Sequence, residues 1–345
     1  MGTIKNWFKK ILPPPVNSFM REVNRIVALE EKNQALMQQL LQRVERQEQQ
    51  IKTQEELLKL QENQLQVQFE KAEQQIKNTG QTCAEILEKV AGQQIDFLQQ
   101  LKEQQMSIQK DVKATRNHAW QGQKNSEEII WAEIFNNAIS DSKWLTNKSF
   151  SAGRWAVGYQ YLYVVYRILN EVHPKQILEL GLGQSTRLLG QYAASDEAVQ
   201  HTVVEHDSTW IQFFQQDFQL SENSKIVQLE REYKTFLEDE HVLTFKNFKE
   251  TFSGKKFDFI SIDAPLGAEA IVYARVDILD LLPECLAESF VIVVDDYNRQ
   301  GEKNTVAVLE DILQKNEIIY TKGVYSGKKD CIVICSEDLK FVCSM

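Results

Sequence analysis

The chain has 345 residues, 43% of them hydrophobic, and carries 39 Lys and Arg against 49 Asp and Glu for a formal net charge of -10. That length accommodates two domains, or one domain plus an extended element, and the negative balance offers no general attraction for nucleic acid, which is not expected as a partner. Five cysteines (Cys83, Cys285, Cys331, Cys335, Cys343) show no Cys-x-x-Cys or Cys/His spacing, pointing to reduced thiols rather than a disulfide framework or zinc. No apolar run reaches a membrane-spanning length, and the N-terminus lacks a secretory pattern, so a cytoplasmic location is expected.

Residues 1–15 read as an amphipathic peptide and a proline linker. Ile4, Trp7, Phe8, Ile11 and Leu12 share a helical face beside Lys5, Lys9 and Lys10, a pattern suited to a membrane surface or a docking partner, with a disordered tail as the plainer reading. Such a peptide, residues 1–12, gives an expectation of peripheral attachment at the inner face of a membrane. Pro13, Pro14 and Pro15 then stop the helix.

From 16 to 116 the sequence predicts a long α-helical coiled coil. No proline occurs between Pro15 and Pro174 and no glycine between Gly2 and Gly80, so the strongest helix breakers are absent. Met37, Val44, Ile51, Leu58, Leu65 and Ala72 recur every seven residues, the companion row being Leu40, Gln47, Gln54, Gln61, Gln68 and Gln75. After Gly80 a second seam runs through Cys83, Leu87, Val90, Gln94, Phe97, Leu101 and Ile108. A kink or stutter is expected near Gly80, and a continuous helix from about residue 17 to 115 would extend on the order of 150 Å. A glutamine-rich seam needs partner strands, so the chain is expected to form a homo-oligomer, the coil serving for association or as a spacer of set length.

Residues 117–175 form an aromatic-rich helical neck or lid, with Trp120, Trp131, Trp144, Trp155, Tyr159, Tyr161, Tyr163 and Tyr166. Their density implies burial, either on a sheet or over a ligand. A loop is expected at 149–153 and a helix at 157–172.

Residues 176–345 alternate strands and helices. An apolar strand at Gln176–Leu180 ends in Glu179-Leu180-Gly181-Leu182-Gly183-Gln184-Ser185-Thr186 and leads into a helix through Ala194. Glycines at such a turn let the backbone approach a ligand, and the helix start offers free N–H groups. Further strands are expected at Thr202–Val204 before Glu205-His206-Asp207, and at Lys225–Gln228 before Leu229, Glu230 and a charged helix. Two buried strands follow, at Phe257–Ile262 before Asp263-Ala264-Pro265-Leu266-Gly267 and at Phe290–Val294 before Asp295-Asp296. A terminal hairpin is expected from Glu317–Thr321 and Cys331–Cys335.

A dinucleotide site wants a third glycine where Thr186 stands. An acidic residue followed by Gly-x-Gly instead resembles the first motif of class I S-adenosylmethionine-dependent methyltransferases. The resemblance implies Glu179 near the methionine ammonium, Gly181 and Gly183 close to the cofactor, and Ser185 at the family's third glycine. It further implies Glu205 on the ribose hydroxyls, with Asp207 as second choice, Glu230 beside the adenine, and Asp263 among the cofactor-binding residues. Trp155 and Tyr159 are candidates to surround the sulfonium. The terminal hairpin agrees with this family, whose last strand runs antiparallel. The expected fold is thus an α/β Rossmann-like seven-stranded sheet with an antiparallel last strand, preceded by the coiled coil.

Asp263, Asp295 and Asp296 fall at strand ends where open α/β sheets bind ligands. Converging carboxylates need protons or a cation, and these positions are similar to the ligands of metal-dependent O-methyltransferases, implying Mg2+ or another divalent ion that activates an acceptor hydroxyl. Without a metal, Asp263 or Asp296 would act as general base, and His206, beside Glu205, is a further catalytic candidate. The stretch from Phe257 to Asn298 also looks like the plant glucuronoxylan O-methyltransferases, which share a D-A-P-x-G-like turn. The expected activity is O-methylation, with a sugar hydroxyl of a surface polysaccharide or its precursor, or another hydroxyl-bearing acceptor, as substrate. Two other readings stay open: a scaffold with a non-catalytic Rossmann-like head, and a nicotinamide-dependent oxidoreductase.

Overall fold

The computed structural model describes residues 14–76, 82–153, 156–267 and 272–345. The N-terminal peptide at 1–12, the break near Gly80 and Trp155 lie outside the described residues. Among those described, no helix is long and apolar enough to cross a membrane. The chain divides into two compact units, one up to Ser126 and the other Glu127–Met345.

The first unit is built from α1 (Pro14–Ile76) and most of α2 (Thr82–Ile139). The two helices run antiparallel. Gln105 Nε2 donates to Glu55 Oε1 at 2.8 Å and Arg116 pairs with Glu48, so partners farther along one helix lie farther back on the other. Leu58 and Leu101 accordingly share one crevice, Ala72 and Leu87 another. This corrects the expectation of a continuous rod: the second half of the polar stretch returns along the first, and each helix is the other's partner strand. At 63 residues, α1 spans about 95 Å. The row from Met37 to Ala72 does turn inward, but of its companions Gln54, Gln68 and Gln75 are exposed. On α2 the inward residues are Leu87, Ala91, Gln94, Leu98, Leu101, Gln105, Ile108, Val112, Thr115 and Ala119, two clean heptad rows. Val90 and Phe97 are exposed, because the companion positions belong to Ala91 and Leu98.

The second unit is a seven-stranded sheet in the order β3-β2-β1-β6-β7-β9-β8. Its strands are β1 (Gln176–Leu180), β2 (Gln200–Glu205), β3 (Ser224–Gln228), β6 (Phe257–Ile262), β7 (Leu286–Val294), β8 (Tyr320–Tyr325) and β9 (Cys331–Ser336). Each of β3, β2, β1, β6 and β7 pairs parallel with its neighbour, while β9 is antiparallel to both β7 and β8. The antiparallel last strand was expected; β8 begins three residues later than predicted, so Gly323 belongs to the strand, where a Cβ would collide with the Cys343 carbonyl.

Both faces of the sheet are covered, as near-continuous apolar strands require. One face packs on α3 (Tyr159–Glu171) and α4 (Gln184–Ser195), joining Phe135, Tyr161, Leu169 and Leu188 to Ile177, Phe259 and Val293. Of the neck's aromatic residues, Tyr161, Tyr163 and Tyr166 are core on this face and Trp131, Trp144 and Tyr159 pack against it, whereas Trp120 is exposed. The other face buries Leu178, Ile260 and Ile292 beneath Val276, Ile278, Val306 and Leu309. Where a charged helix was expected after Glu230, the chain forms a separate antiparallel hairpin of β4 (Arg231–Phe236) and β5 (Asp239–Phe245). β-Branched and aromatic residues such as Tyr233, Phe236, Val242 and Thr244 suit strands, and Leu237, at φ 52, turns the chain between them.

Candidate functional site

Strand order reverses beside β1, between the β2 and β6 neighbours, and there the crevice at the carboxyl ends of a parallel sheet is widest. A cavity of about 610 Å³ opens at this point, within the range of small-molecule sites. Its floor is the turn after β1. Gly181 has φ +105, and a Cβ there would sit 3.1 Å from the Ala264 side chain, so both the left-handed backbone and the close approach call for glycine. Gly183 also lines the cavity, and its N–H donates to the Thr186 hydroxyl at 2.8 Å. The residue that breaks the dinucleotide pattern thus closes the turn from inside α4.

Glu205 ends β2 on the cavity wall. Its Oε2 accepts from Leu182 N–H at 3.2 Å, and its Oε1 from the N–H groups of His206 and Asp207 at 2.7 and 3.0 Å. His206 Nδ1 lies 2.6 Å from the same Oε1. A carboxylate held by N–H donors at a strand end keeps lone pairs for further donors such as vicinal hydroxyls. Asp207 also lines the cavity, and its Oδ1 caps α5 (Ser208–Asp217) by accepting from the Thr209 and Trp210 N–H groups.

The remaining wall comes from residues that carried no motif. Trp210 and Phe213 stack at 5.4 Å between ring centroids, and Trp210 Nε1–H donates to Leu182 carbonyl at 2.7 Å. Arg187 lies over the Phe218 ring. Ser151, Gly153, Ala156 and Val157 approach from the neck, where Ser151 N–H is fixed to Gln184 Oε1 at 2.9 Å. Aromatic residues at i and i+3 on α5 were the available sequence signal for this wall.

Several expected site residues lie elsewhere. Glu179 is fully buried and gives its Oε2 to His201 Nε2 at 3.0 Å, with His201 Nδ1 3.2 Å from Ser224 Oγ. Strand alternation turns Glu179 to the same face as Ile177, away from the cavity. Ser185 is buried in the first turn of α4 and does not reach the cavity wall. Glu230 is exposed beside Lys246 at 3.5 Å, outside the cavity. Tyr159 is likewise off the wall, its hydroxyl donating to Phe150 carbonyl at 3.3 Å.

Asp263, Asp295 and Asp296 do converge, with a carboxylate oxygen of each within 4.8 Å of the others. Only Asp263 lines the cavity; Asp295 and Asp296 are 0% and 3% exposed. The cluster also contains cations that sequence reading missed. Arg275, 2% exposed, places Nη2 3.0 Å from Asp263 Oδ1 and 2.7 Å from Asp296 Oδ2, while Nη1 donates to Asp295 carbonyl at 2.9 Å. Arg299 Nη1 lies 2.9 Å from Asp296 Oδ2, and Lys329 Nζ lies 3.6 Å from oxygens of both Asp295 and Asp296. Burial pushes the Asp263 carboxyl up against the pull of Arg275 and Lys329, and pushes Asp295 up to about 8, with Asp263 and Asp296 adding to the rise. Burial works against the Arg275 charge, but Asp263, Asp296 and Glu302 outweigh it and hold the guanidinium ionised.

A divalent ion that activates a chelated acceptor needs carboxylates facing a space the acceptor enters. Asp296 is taken up by Arg275 and Arg299, and Asp295, 3.6 Å from Lys329 with neither oxygen hydrogen-bonded, does not line the cavity, so the residues present do not fit such an ion. Asp296 is held by two arginines below the cavity wall and does not reach an acceptor as a base. Asp263 does.

No family model matches the sequence, and no curated protein matches it. Among solved structures, the chain is similar to a Staphylococcus aureus protein provisionally named a caffeoyl-CoA O-methyltransferase, at 18% identity over 59% of this chain and 90% of that one, TM-score 0.36. It is similar to the plantazolicin methyltransferase BpumL bound to SAH, at 11% identity over 60% and 88%, TM-score 0.31. A third is a precorrin-6y C5,15-methyltransferase from Geobacter metallireducens, at 12% identity over 57% and 96%, TM-score 0.35.

Proposed function

We propose that the chain is an S-adenosylmethionine-dependent O-methyltransferase acting on a sugar hydroxyl of a surface polysaccharide or its precursor. The observation that carries the reading is the cavity at the reversal of strand order, with Gly181 in its left-handed turn and Glu205 at the end of β2. In this reading Glu205 accepts the ribose hydroxyls, Gly181 and Gly183 let the cofactor approach the backbone, and His206 steadies the Glu205 carboxylate. S-adenosylmethionine, when bound, supplies a methyl group on sulfonium that an acceptor oxygen displaces. Asp263 is the general base: it sits on the cavity wall with Oδ1 tied to Arg275, and its carboxylate takes the acceptor proton. The neck residues Ser151, Gly153, Ala156 and Val157, which line the cavity, help exclude water from it.

Support for a sugar acceptor is the D-A-P-x-G-like turn, Asp263 to Gly267, shared with the glucuronoxylan group. Gly267 is packed so that a Cβ would meet Glu302 Oε1 at 2.5 Å, tying the turn to the carboxylate cluster. We further propose that copies of the chain associate through the helix pair, whose Leu57, Leu60, Val67, Ile86, Val90 and Phe97 are exposed. In the same reading, the protein works in the cytoplasm, with residues 1–12 attaching it to the inner face of a membrane.

The test is transfer of isotopically labelled methyl from S-adenosylmethionine to polysaccharide and lipid-linked oligosaccharide acceptors. Label recovered as an ether, and lost with Asp263→Asn, supports the reading. Label appearing on nitrogen or carbon, or undiminished in Asp263→Asn, sinks the assigned chemistry.

A further inference from the structure

We propose that the Arg275 guanidinium, backed by Lys329, is the resident cation of the Asp263–Asp295–Asp296 cluster, so that transfer needs no metal and removing the guanidinium turns the cluster into a divalent-cation site. The catalytic part of this rests on the methyltransferase reading; the metal-binding part stands without it.

Geometry comes first. Arg275 Nη2 is 2.7 Å from Asp296 Oδ2 and 3.0 Å from Asp263 Oδ1. A Mg2+ ion on those oxygens would bind them at about 2.0–2.1 Å, competing with the guanidinium for the same lone pairs and placing a double positive charge beside it. The arginine is also built in rather than draped over the site. Its Nη1 donates to the Asp295 carbonyl and lies 3.5 Å from the Ile262 carbonyl, its Nε faces Glu302 Oε1 at 3.8 Å, and it is 2% exposed. Arg275 and Asp296 both adopt left-handed backbone, at φ 60 and 59, a conformation non-glycine residues keep only where surrounding contacts hold them.

Charge agrees. Asp263, Asp295, Asp296 and Glu302 face Arg275, Arg299 and Lys329. Four acids and three cations leave one negative charge, which a single shared proton cancels; a further double positive charge would overshoot. Lys329 adds the second fixed contact, donating to Ala156 carbonyl at 3.1 Å while its ammonium lies between Asp295 and Asp296. Arg275 is thereby a positioning residue: it grips Asp263 Oδ1 and so fixes a carboxylate that lines the cavity. Arginine suits the task because its fork contacts two carboxylates and two carbonyls at once and does not deprotonate.

The experiment is Mn2+ titration of the full chain, read by the paramagnetic resonance signal of free Mn2+, with S-adenosylhomocysteine binding and circular dichroism monitored separately. Wild type is expected to take up no Mn2+ at these carboxylates. Arg275→Met should bind one ion with a dissociation constant on the order of 0.1 mM, at least tenfold tighter than wild type, and adding Asp263→Asn should abolish that uptake. Arg275→Lys, which keeps a cation, should stay metal-free. Saturable Mn2+ binding by wild type that disappears in Asp263→Asn would overturn the proposal, as would a folded Arg275→Met that takes up no ion. If Arg275→Met does not fold, the wild-type and Arg275→Lys titrations decide by the same criterion. Loss of the methyltransferase reading would register as absent S-adenosylhomocysteine binding in wild type, whatever the Mn2+ result.

Discussion

At the end of β2, Glu205 rests on backbone N–H donors and faces the cavity, whereas at the ends of β6 and β7 Asp295 and Asp296 are turned onto arginine and lysine below the cavity wall. Both ends bring acidic side chains to the same edge of one sheet, so position alone does not separate them. Partners do. N–H donors hold Glu205 in place while leaving it lone pairs, the Arg275 guanidinium takes up those of Asp296, and Asp295 lies buried 3.6 Å from Lys329 with neither carboxylate oxygen hydrogen-bonded. Asp263 has Oδ1 bound to Arg275 and is the member of the cluster on the cavity wall.

The largest effect should come from the backbone under the cavity. Gly181→Val forces a branched side chain into a left-handed turn 3.1 Å from Ala264 and should weaken S-adenosylhomocysteine binding about 100-fold or more, from strain and displaced backbone together. Calorimetry reads this directly, and a change under threefold would mean the turn does not contact the ligand. Next, Glu205→Ala should cost roughly 10- to 100-fold in the same affinity, the range for hydrogen bonds to a charged acceptor. Glu230→Ala, outside the cavity, should cost less than about twofold on the same argument. The reverse order would break the contrast between the two carboxylates.

Asp277 sharpens the comparison as a buried carboxylate with no cation in contact. It accepts from Phe245 N–H at 2.6 Å, and burial pushes it up to about 7. The folded chain therefore holds a proton here that the unfolded chain releases, so this contribution to stability is present at low pH and fades as pH rises from about 4 to 7. Asp277→Asn keeps an acceptor for Phe245 and should retain roughly 5–10 °C of melting temperature that wild type loses between pH 5 and pH 8. An equal loss in both proteins would remove Asp277 as the source. The smallest effect on the site should follow Val44→Asn in the helix pair. It should lower the stability of that unit by about 1–2 kcal/mol and leave S-adenosylhomocysteine affinity unchanged.

β1, β2, β6 and β7 were legible because they are largely buried and read as apolar runs closed by glycine or a carboxylate. Glu205 and Gly181 were legible for the same reason, since a strand end fixes the side chain next to it. Glu179 was misread because adjacency to the glycines says nothing about which face of the strand a side chain takes; alternation sends it to His201. Arg275 left no signal, being a single arginine on an irregular segment whose partners arrive from three separate stretches of chain. The helix pair was half legible. Heptad spacing marked the inward rows, yet it carries no information on whether the partner is another chain or the same one returning. The β4–β5 hairpin was hidden by its charge, which concealed the alternation of Tyr233, Val242 and Thr244.

The measurement that bears most directly on the central claim is calorimetric titration of the full chain with S-adenosylhomocysteine and, in parallel, with NAD+. The account predicts one site per chain in the micromolar range, abolished in Gly181→Val, and no heat from NAD+. Absence of S-adenosylhomocysteine binding, or binding that survives Gly181→Val undiminished, would contradict it.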